Sequence, residues 1–213
     1  EVVVDPAYLD APFLAALVTP VVFRFLEDRT AYFAAVVAFV TFSLIASQHS
    51  ATGDVVLPWI PSLDVTLRFY VDGLAVLIGY LASGIGVLVF TYSAGYMEHE
   101  PGKKKYYTTL LVFMGSMVGV AFAADLVALF VFWELTSLSS FVLIGHYTGE
   151  RDSRYAARKA MIITVGGGLF MLIGFIILAS VTGTFDLVWM LEHGEGVRQN
   201  LRSAGMLVPV LGL

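Results

Sequence analysis

Residues 126–147 read LVALFVFWELTSLSSFVLIGHY, a run of apolar and small residues with a single Asp, Glu, Lys or Arg, Glu134. About 20 mostly apolar residues suffice to carry a helix across a bilayer, so this run predicts a membrane span with a carboxyl near its middle. Similar runs flank it on both sides. Spans are predicted at roughly 9–26, 31–47, 72–96, 106–123, 126–147 and 155–181, and a seventh begins at about Ala204. Asp10, Asp72 and Asp125 each precede or open an apolar run and read as helix N-caps, with Pro12 suited to a first turn.

Composition agrees. Of 213 residues, 58% are hydrophobic and 14% charged, against about 25% charged in a soluble domain. Mean hydropathy is +0.84. The net charge of −5 leaves no basic face for nucleic acid. With no cysteine, disulfides, thiol catalysis and Cys-ligated metal are excluded. Four scattered histidines form no metal or haem motif, so neither a metal site nor an organic cofactor is expected. The chain opens at Glu1 without a readable signal peptide, and its last apolar run has ten residues to Leu213. Both features lead us to expect a longer protein.

The basic residues fall on alternate loops. Arg24, Arg29, Lys103, Lys104, Lys105, Arg151, Arg154, Arg158 and Lys159 occupy one side; Arg68, Arg198 and Arg202 occupy the other. Positive residues favour the cytoplasmic side, which predicts a multi-pass protein of the cell membrane with its amino terminus outside. Tyr92, Tyr96, Tyr106, Tyr107, Tyr147 and Tyr155 fall at the predicted inner boundary, and Trp59 and Trp189 at the outer one, as aromatic belts do. Between the second and third spans, Val55–Leu57 and Val65–Phe69 are strand-like and separated by Pro58, Pro61 and Ser62. They predict a small external β-hairpin.

Ionisable side chains within a span are costly and mark ion or proton routes by default. Glu134 is the foremost. Its neighbours at helical spacing are Val127, Phe130, Val131, Ser137, Leu138, Phe141 and Gly145, an almost apolar stripe. Thr136, Ser139 and Ser140 supply small polar contacts on the other face. Both faces are therefore expected to pack against protein. A carboxyl so placed is suited to take up and release protons; the alternative is a structural glutamate bonded to a neighbouring helix. Lys159 lies in the first turns of the sixth span, about 6–9 Å from the inner boundary, whereas Glu134 lies about 20 Å from it. No direct pair is expected, and Lys159 reads equally as a functional cation or as a side chain snorkelling to the interface. His146 is a possible relay, its ordinary pKa lying near neutrality, or simply an interfacial histidine. Gly115-xxx-Gly119 and Gly166-Gly167-Gly168 predict close helix packing, the triplet with room for a kink.

Several strings together identify a resemblance. They are Tyr70-Val71-Asp72-Gly73-Leu74, the run Trp133-Glu134-Leu135-Thr136-Ser137 continuing to Gly145, Arg158-Lys159-Ala160-Met161 continuing to Gly167, and Thr182-Gly183-Thr184-Phe185. They resemble the amino-terminal part of MrpA, the large subunit of the Mrp-type multisubunit Na⁺/H⁺ antiporters. That family is related to the antiporter-like subunits of respiratory complex I. The resemblance implies an all-α, polytopic, antiporter-like helical bundle. Residues 1–50 would be two leading helices, 51–71 the extracellular hairpin, and 72–213 the first part of the repeat, ending within a seventh helix.

It further implies Glu134 as proton-transfer carboxylate and Lys159 on a hydrophilic axis. Where complex I relatives carry an Arg and an Asp, this chain has Val165 and Gly168, which favours the Mrp side. The implied function is exchange of Na⁺, or K⁺ or Li⁺, for H⁺, carried out together with the other membrane subunits of a hetero-oligomeric complex. It would be a transporter in a lipid bilayer rather than an enzyme, serving pH homeostasis. Rival readings keep the bundle. One is a proton-pumping subunit of a complex I-like quinone oxidoreductase or membrane-bound hydrogenase. Others are a non-conducting scaffold and the membrane half of an inorganic-carbon uptake complex.

Overall fold

A computed structural model describes residues 6–48, 53–60 and 65–205, and their side chains except those of 57–60, 65 and 66. The predicted seventh span lies mostly outside the described residues, as does the side chain of Trp59. The chain is mostly helical: α1 (Ala7–Leu26), α2 (Thr30–Ser47), β1 (Gly53–Ile60), β2 (Val65–Val71), α3 (Gly73–Tyr96), α4 (Lys103–Phe122), α5 (Leu126–Ile144), α6 (Arg151–Thr182), α7 (Leu187–Glu192) and α8 (Gly194–Ser203).

Among the described residues, five helical stretches are long and apolar enough to cross a membrane: Ala7–Ser47, α3, α4, α5 and α6. The first is divided by a 3-10 turn at Glu27–Arg29, and its halves α1 and α2 pack side by side. That accounts for the first two predicted spans.

Contacts run α1 to α2, α2 to α3, α3 to α4 and α4 to α1, closing a four-helix ring; α5 packs on α4, and α6 on α5. Small residues bring the ring together. A Cβ on Gly79 would stand 2.9 Å from the Phe122 ring, and one on Gly115 would stand 2.9 Å from Pro12 Cβ. Gly119 is filled by the Phe132 ring of α5. The GxxxG pair thus seats two different helices, α1 at Gly115 and α5 at Gly119. Tyr8, Ile45, Phe69, Val118, Phe122 and Phe132 form one core, and Ala34, Ala38, Phe90, Tyr107 and Leu111 another.

Asp72 and Asp125 cap α3 and α5 as expected, accepting from the Ala75 and Ala128 N–H groups at 2.7 and 2.6 Å. Asp10 does not cap. The helix starts earlier, with Pro6 at the N-cap position, so Asp10 sits in the first turn and Pro12 and Pro20 lie inside α1. A carboxylate in the first turn is favoured by the positive end of the helix dipole. Nor is α5 enclosed on both faces: Trp133 and Leu138 are exposed, α4 and α6 being its main neighbours among the described helices.

The hairpin forms, antiparallel and in register from Gly53–Val71 to Pro58–Thr66. Pro58 lies within β1, next to an irregularity in the pairing, rather than between the strands. The hairpin is stitched to the bundle by backbone. Ala124 N–H donates to Arg68 O (2.8 Å), Leu126 N–H to Phe185 O (2.9 Å) and Leu187 N–H to Ala124 O (2.9 Å). The hairpin, the α4–α5 turn and the start of α7 therefore share one end of the bundle. The 3-10 turn, the α3–α4 loop and the α5–α6 loop share the other, where Lys103 pairs with Asp28 and His146 Nε2 meets Pro101 O at 2.9 Å.

Candidate functional site

Glu134 is the ninth residue of α5, so about 12 Å of helix precedes it and about 15 Å follows. Its Oε1 is buried and, among the described residues, has no hydrogen-bond partner. The atom faces Gly168 of α6 so closely that a Cβ there would overlap it and would stand 3.0 Å from Glu134 Cδ. Glycine at 168 thus makes the space that the carboxyl occupies. Glu134 belongs to none of the ion pairs found among the described residues, which join Arg68 to Asp54 and Asp186, and Lys103 to Asp28. Glu134 as a whole is only half-buried, and Oε1 is the oxygen shut away from water without a donor.

Beside this contact, α5 and α6 part to form a cleft of about 450 Å³ lined by Trp133, Thr136, Ser137, Ser140, Ile163, Thr164, Gly167, Gly168 and Met171. The Thr136, Ser137 and Thr164 hydroxyls donate back to their own helices, to Trp133 O (2.6 and 3.3 Å) and Ala160 O (3.0 Å). Their oxygens keep acceptor capacity for water. Gly168 borders both the cleft and the carboxyl, so a largely apolar space that carries a few hydroxyls adjoins the Glu134 contact. Of the glycine triplet only Gly168 has a close neighbour; the positions of Gly166 and Gly167 are open, and α6 runs through all three as a helix.

Lys159 is not brought to Glu134. It precedes Gly168 by nine residues, about 13.5 Å along α6. The side of α6 nearest α5 carries Ala157 and Gly168, and Lys159, two residues past Ala157, falls on the opposite side. There it is exposed and lines an open surface recess with Tyr155, Arg158, Ile162 and Ile163. His146 lies beyond the end of α5, edge-on to Tyr106 and Tyr147. Its Nδ1 is buried and has no partner among the described residues. The neighbouring Tyr147 phenol is pushed up to about 12, first by its hydrogen bond to Glu100. The three candidates thus occupy separate places: mid-helix at the α5–α6 contact, the outer side of α6, and the loop after α5.

A further charged cluster escaped the sequence reading. At the hairpin end, the Arg68 guanidinium donates to both Asp54 and Asp186, and Asp186 caps α7 through Trp189 N–H (3.0 Å). The bond to Asp54 is the main cause of an upward shift at Arg68. Asp125 is buried beside this group, and burial pushes its carboxyl up, against the lowering effect of N–H donors at Ala128 and Val127. Arg68 and Asp186 are 118 residues apart, so no local pattern signals the pair.

Sequence comparisons bear on the family. Residues 123–213 match the model described as NADH:quinone oxidoreductase/Mrp antiporter, transmembrane, and residues 58–107 the one for the complex I chain 5 N-terminus. Over 210 residues, 95% of this chain, it is 39% identical to the Na⁺/H⁺ antiporter A subunit of Alkalihalophilus pseudofirmus OF4, covering 26% of that protein. Against the A1 subunit of the Staphylococcus aureus Na⁺/H⁺ antiporter, identity is 37% over 89% of this chain and 24% of the relative.

The chain is a homologue of the Mrp antiporter A subunits.

It spans about a quarter of the length of the curated relatives it matches. The fold agrees: a chain in the structure of the Mrp complex from Dietzia sp. DQ12-45-1b superposes with a TM-score of 0.76 at 30% identity, over 85% of this chain and 20% of that one. A chain of the membrane-bound sulfane sulfur reductase, an archaeal respiratory complex, superposes with a TM-score of 0.72 over 84% of this chain and 38% of that one. At 21% identity it speaks for the fold alone. The antiporter relatives are named as subunits of transporters, not as enzymes.

Proposed function

We propose that this chain is part of a membrane subunit of a multisubunit cation/proton antiporter, exchanging Na⁺, or K⁺ or Li⁺, for H⁺, and that Glu134 carries the proton. The observation that supports the reading is the Glu134 carboxyl itself, mid-helix, with an oxygen buried and unpartnered against Gly168. A group that gains nothing from a fixed partner has its charge decided by what enters beside it. Dry, it holds a proton; with water in the adjoining α5–α6 cleft, its anion is solvated and the proton is released. The Thr136, Ser137 and Thr164 hydroxyls that line the cleft would hold that water.

Lys159 and His146 would act at a distance in this scheme. Lys159, near the start of α6, would bias the charge of Glu134 through the low-dielectric bundle. His146 would pass protons at the loop after α5. By the distribution of basic residues, the end carrying Lys103–Lys105 and Arg151–Lys159 faces the cytoplasm, with the amino terminus and the hairpin outside the cell membrane. Other membrane subunits complete the complex, as the relatives' status as subunits suggests.

The test is growth. The complete gene, with the genes beside it, is placed in a host lacking its own Na⁺/H⁺ antiporters and challenged with Na⁺ at alkaline pH. Wild type should restore growth, Glu134→Gln should not at equal membrane abundance, and Glu134→Asp should restore it in part. Equal growth with Glu134→Gln would remove Glu134 from the proton route.

A further inference from the structure

Where α4 begins and the α5–α6 loop turns back into the bundle, a second cleft of about 440 Å³ opens between α4, α5 and α6. Lys105, Arg154 and Arg158 line it together with Phe141, Val142, Gly145, Thr148 and Ala157. No residue of the lining is acidic. The three cations find only backbone carbonyls: Lys105 Nζ donates to Gly145 O at 3.4 Å, Arg158 Nε to Arg154 O at 3.3 Å, and Arg154 to Thr148 O. Among the described residues none of the three pairs with a carboxylate, although Lys103, two residues from Lys105, pairs with Asp28. Three positive side chains thus converge on one recess with their charge uncompensated.

The rest of the lining is apolar. Phe141, Val142 and Ala157 face the recess from helix turns that lead into the bilayer, α5 ending at Ile144 and α6 beginning at Arg151. Cations at the membrane boundary above apolar walls complement an amphiphile with an anionic head, not a free anion. Basic pockets between spans at a membrane surface take phospholipid head groups in this way. Arginine offers a planar fork of donors suited to a phosphate.

The geometry points to a binding site for an anionic phospholipid, its phosphate held by Lys105, Arg154 and Arg158 and an acyl chain laid along Phe141, Val142 and Ala157. The site joins α4, α5 and α6 at the end of the bundle away from the hairpin, so an occupant fastens α6 to α5 on the loop side of the Glu134–Gly168 contact.

The test uses the complete membrane protein, purified with its membrane partners in a mild detergent and stripped of lipid. Dioleoyl phosphatidylglycerol, dioleoyl phosphatidylcholine and inorganic phosphate are titrated against melting temperature and, in parallel, against retention by native mass spectrometry. Phosphatidylglycerol should raise the melting temperature and remain bound, and phosphatidylcholine and phosphate should do neither. Its half-saturating concentration should rise about five-fold for each of Arg154→Gln and Arg158→Gln, the loss expected for one cation at a lipid surface. Arg154→Lys and Arg158→Lys should keep most of the effect and show that folding survives change at these positions. Equal stabilisation by phosphatidylcholine, equal stabilisation by phosphate alone, or an unchanged response in the glutamine variants would each overturn the assignment.

Discussion

Replacing Gly168 by alanine separates the cost of crowding from the role of the carboxyl. A Cβ at 168 would overlap Glu134 Oε1 and stand 3.0 Å from Cδ and 3.7 Å from Oε2. Something has to move, and the obstructing atom is the far end of a flexible side chain. Swinging Glu134 off its rotamer costs about 0.5–1.5 kcal/mol. The same substitution relieves a glycine inside a helix, worth about 0.8–1.0 kcal/mol in alanine's favour. The two terms nearly cancel, so stability should change by less than about 1 kcal/mol, about 2–4 °C in melting temperature for a chain of this size.

Gly119→Ala sets the contrast. There the new Cβ enters the Phe132 ring, 2.5 Å from Cγ and 2.7 Å from Cε1, and that ring is buried between Phe13 and Phe69. It has nowhere to go, and overpacking of this kind costs about 1–3 kcal/mol. Thermal unfolding of the purified protein should therefore show Gly119→Ala clearly destabilised and Gly168→Ala close to wild type. In everted vesicles Gly168→Ala should lose Na⁺-driven proton exchange, because the carboxyl has been pushed from its place. A melting temperature for Gly168→Ala as low as that of Gly119→Ala would refute the idea that Glu134 is the yielding partner. Full exchange at wild-type stability would refute the importance of its position.

Other consequences follow from the helix ends. Arg68→Gln removes the guanidinium shared by Asp54 and Asp186; after discounting for partial exposure it should cost about 1 kcal/mol, and limited proteolysis should cut the hairpin faster than in wild type. Faster cleavage elsewhere but not in the hairpin would contradict this. Asp72→Ala forfeits the bond to Ala75 N–H and should cost about 1 kcal/mol, whereas Asp72→Asn should cost far less, as read by melting temperature. At Asp125, burial raises the carboxyl above its ordinary value of about 3.9, so the folded chain binds the proton more tightly than the unfolded chain. Stability from this group is then full below about pH 3.9 and declines as pH rises through the folded-state value. Asp125→Asn, still able to cap, should be at least as stable as wild type at pH 7.5, and that advantage should shrink on acidification. A deficit that grows from acid to neutral pH would contradict it.

Much of the fold could be read from the sequence because lipid imposes a simple rule: a span must be apolar for its whole length, and polar residues collect where it ends. Asp72 and Asp125, each standing just before an apolar run, were legible as caps for that reason. Asp10 was not, since α1 continues past it to Pro6 and a carboxylate is equally at home in a helix's first turn. The short α7 and the polar α8 carry no span signal. Glu134 was conspicuous as a charge in an apolar run. The identity of what it faces was not, since helical periodicity gives the faces of α6 but not which of them meets α5. Once Ala157 and Gly168 are known to lie nearest α5, the placement of Lys159 on the far side follows from its spacing. The Arg68 hub depends on three segments meeting at one end of the bundle, information that resides in packing rather than in any stretch of residues.

The most direct test of the account follows proton movement itself. Everted vesicles from an antiporter-deficient host, carrying the complete protein with its partner subunits, are energised, and the collapse of the pH gradient is followed on adding Na⁺, K⁺ or Li⁺. Wild type should dissipate the gradient with at least one of these cations, and Glu134→Gln, assembled to the same level, should leave it standing. Dissipation by Glu134→Gln at the wild-type rate would contradict the claim that Glu134 carries the exchanged proton.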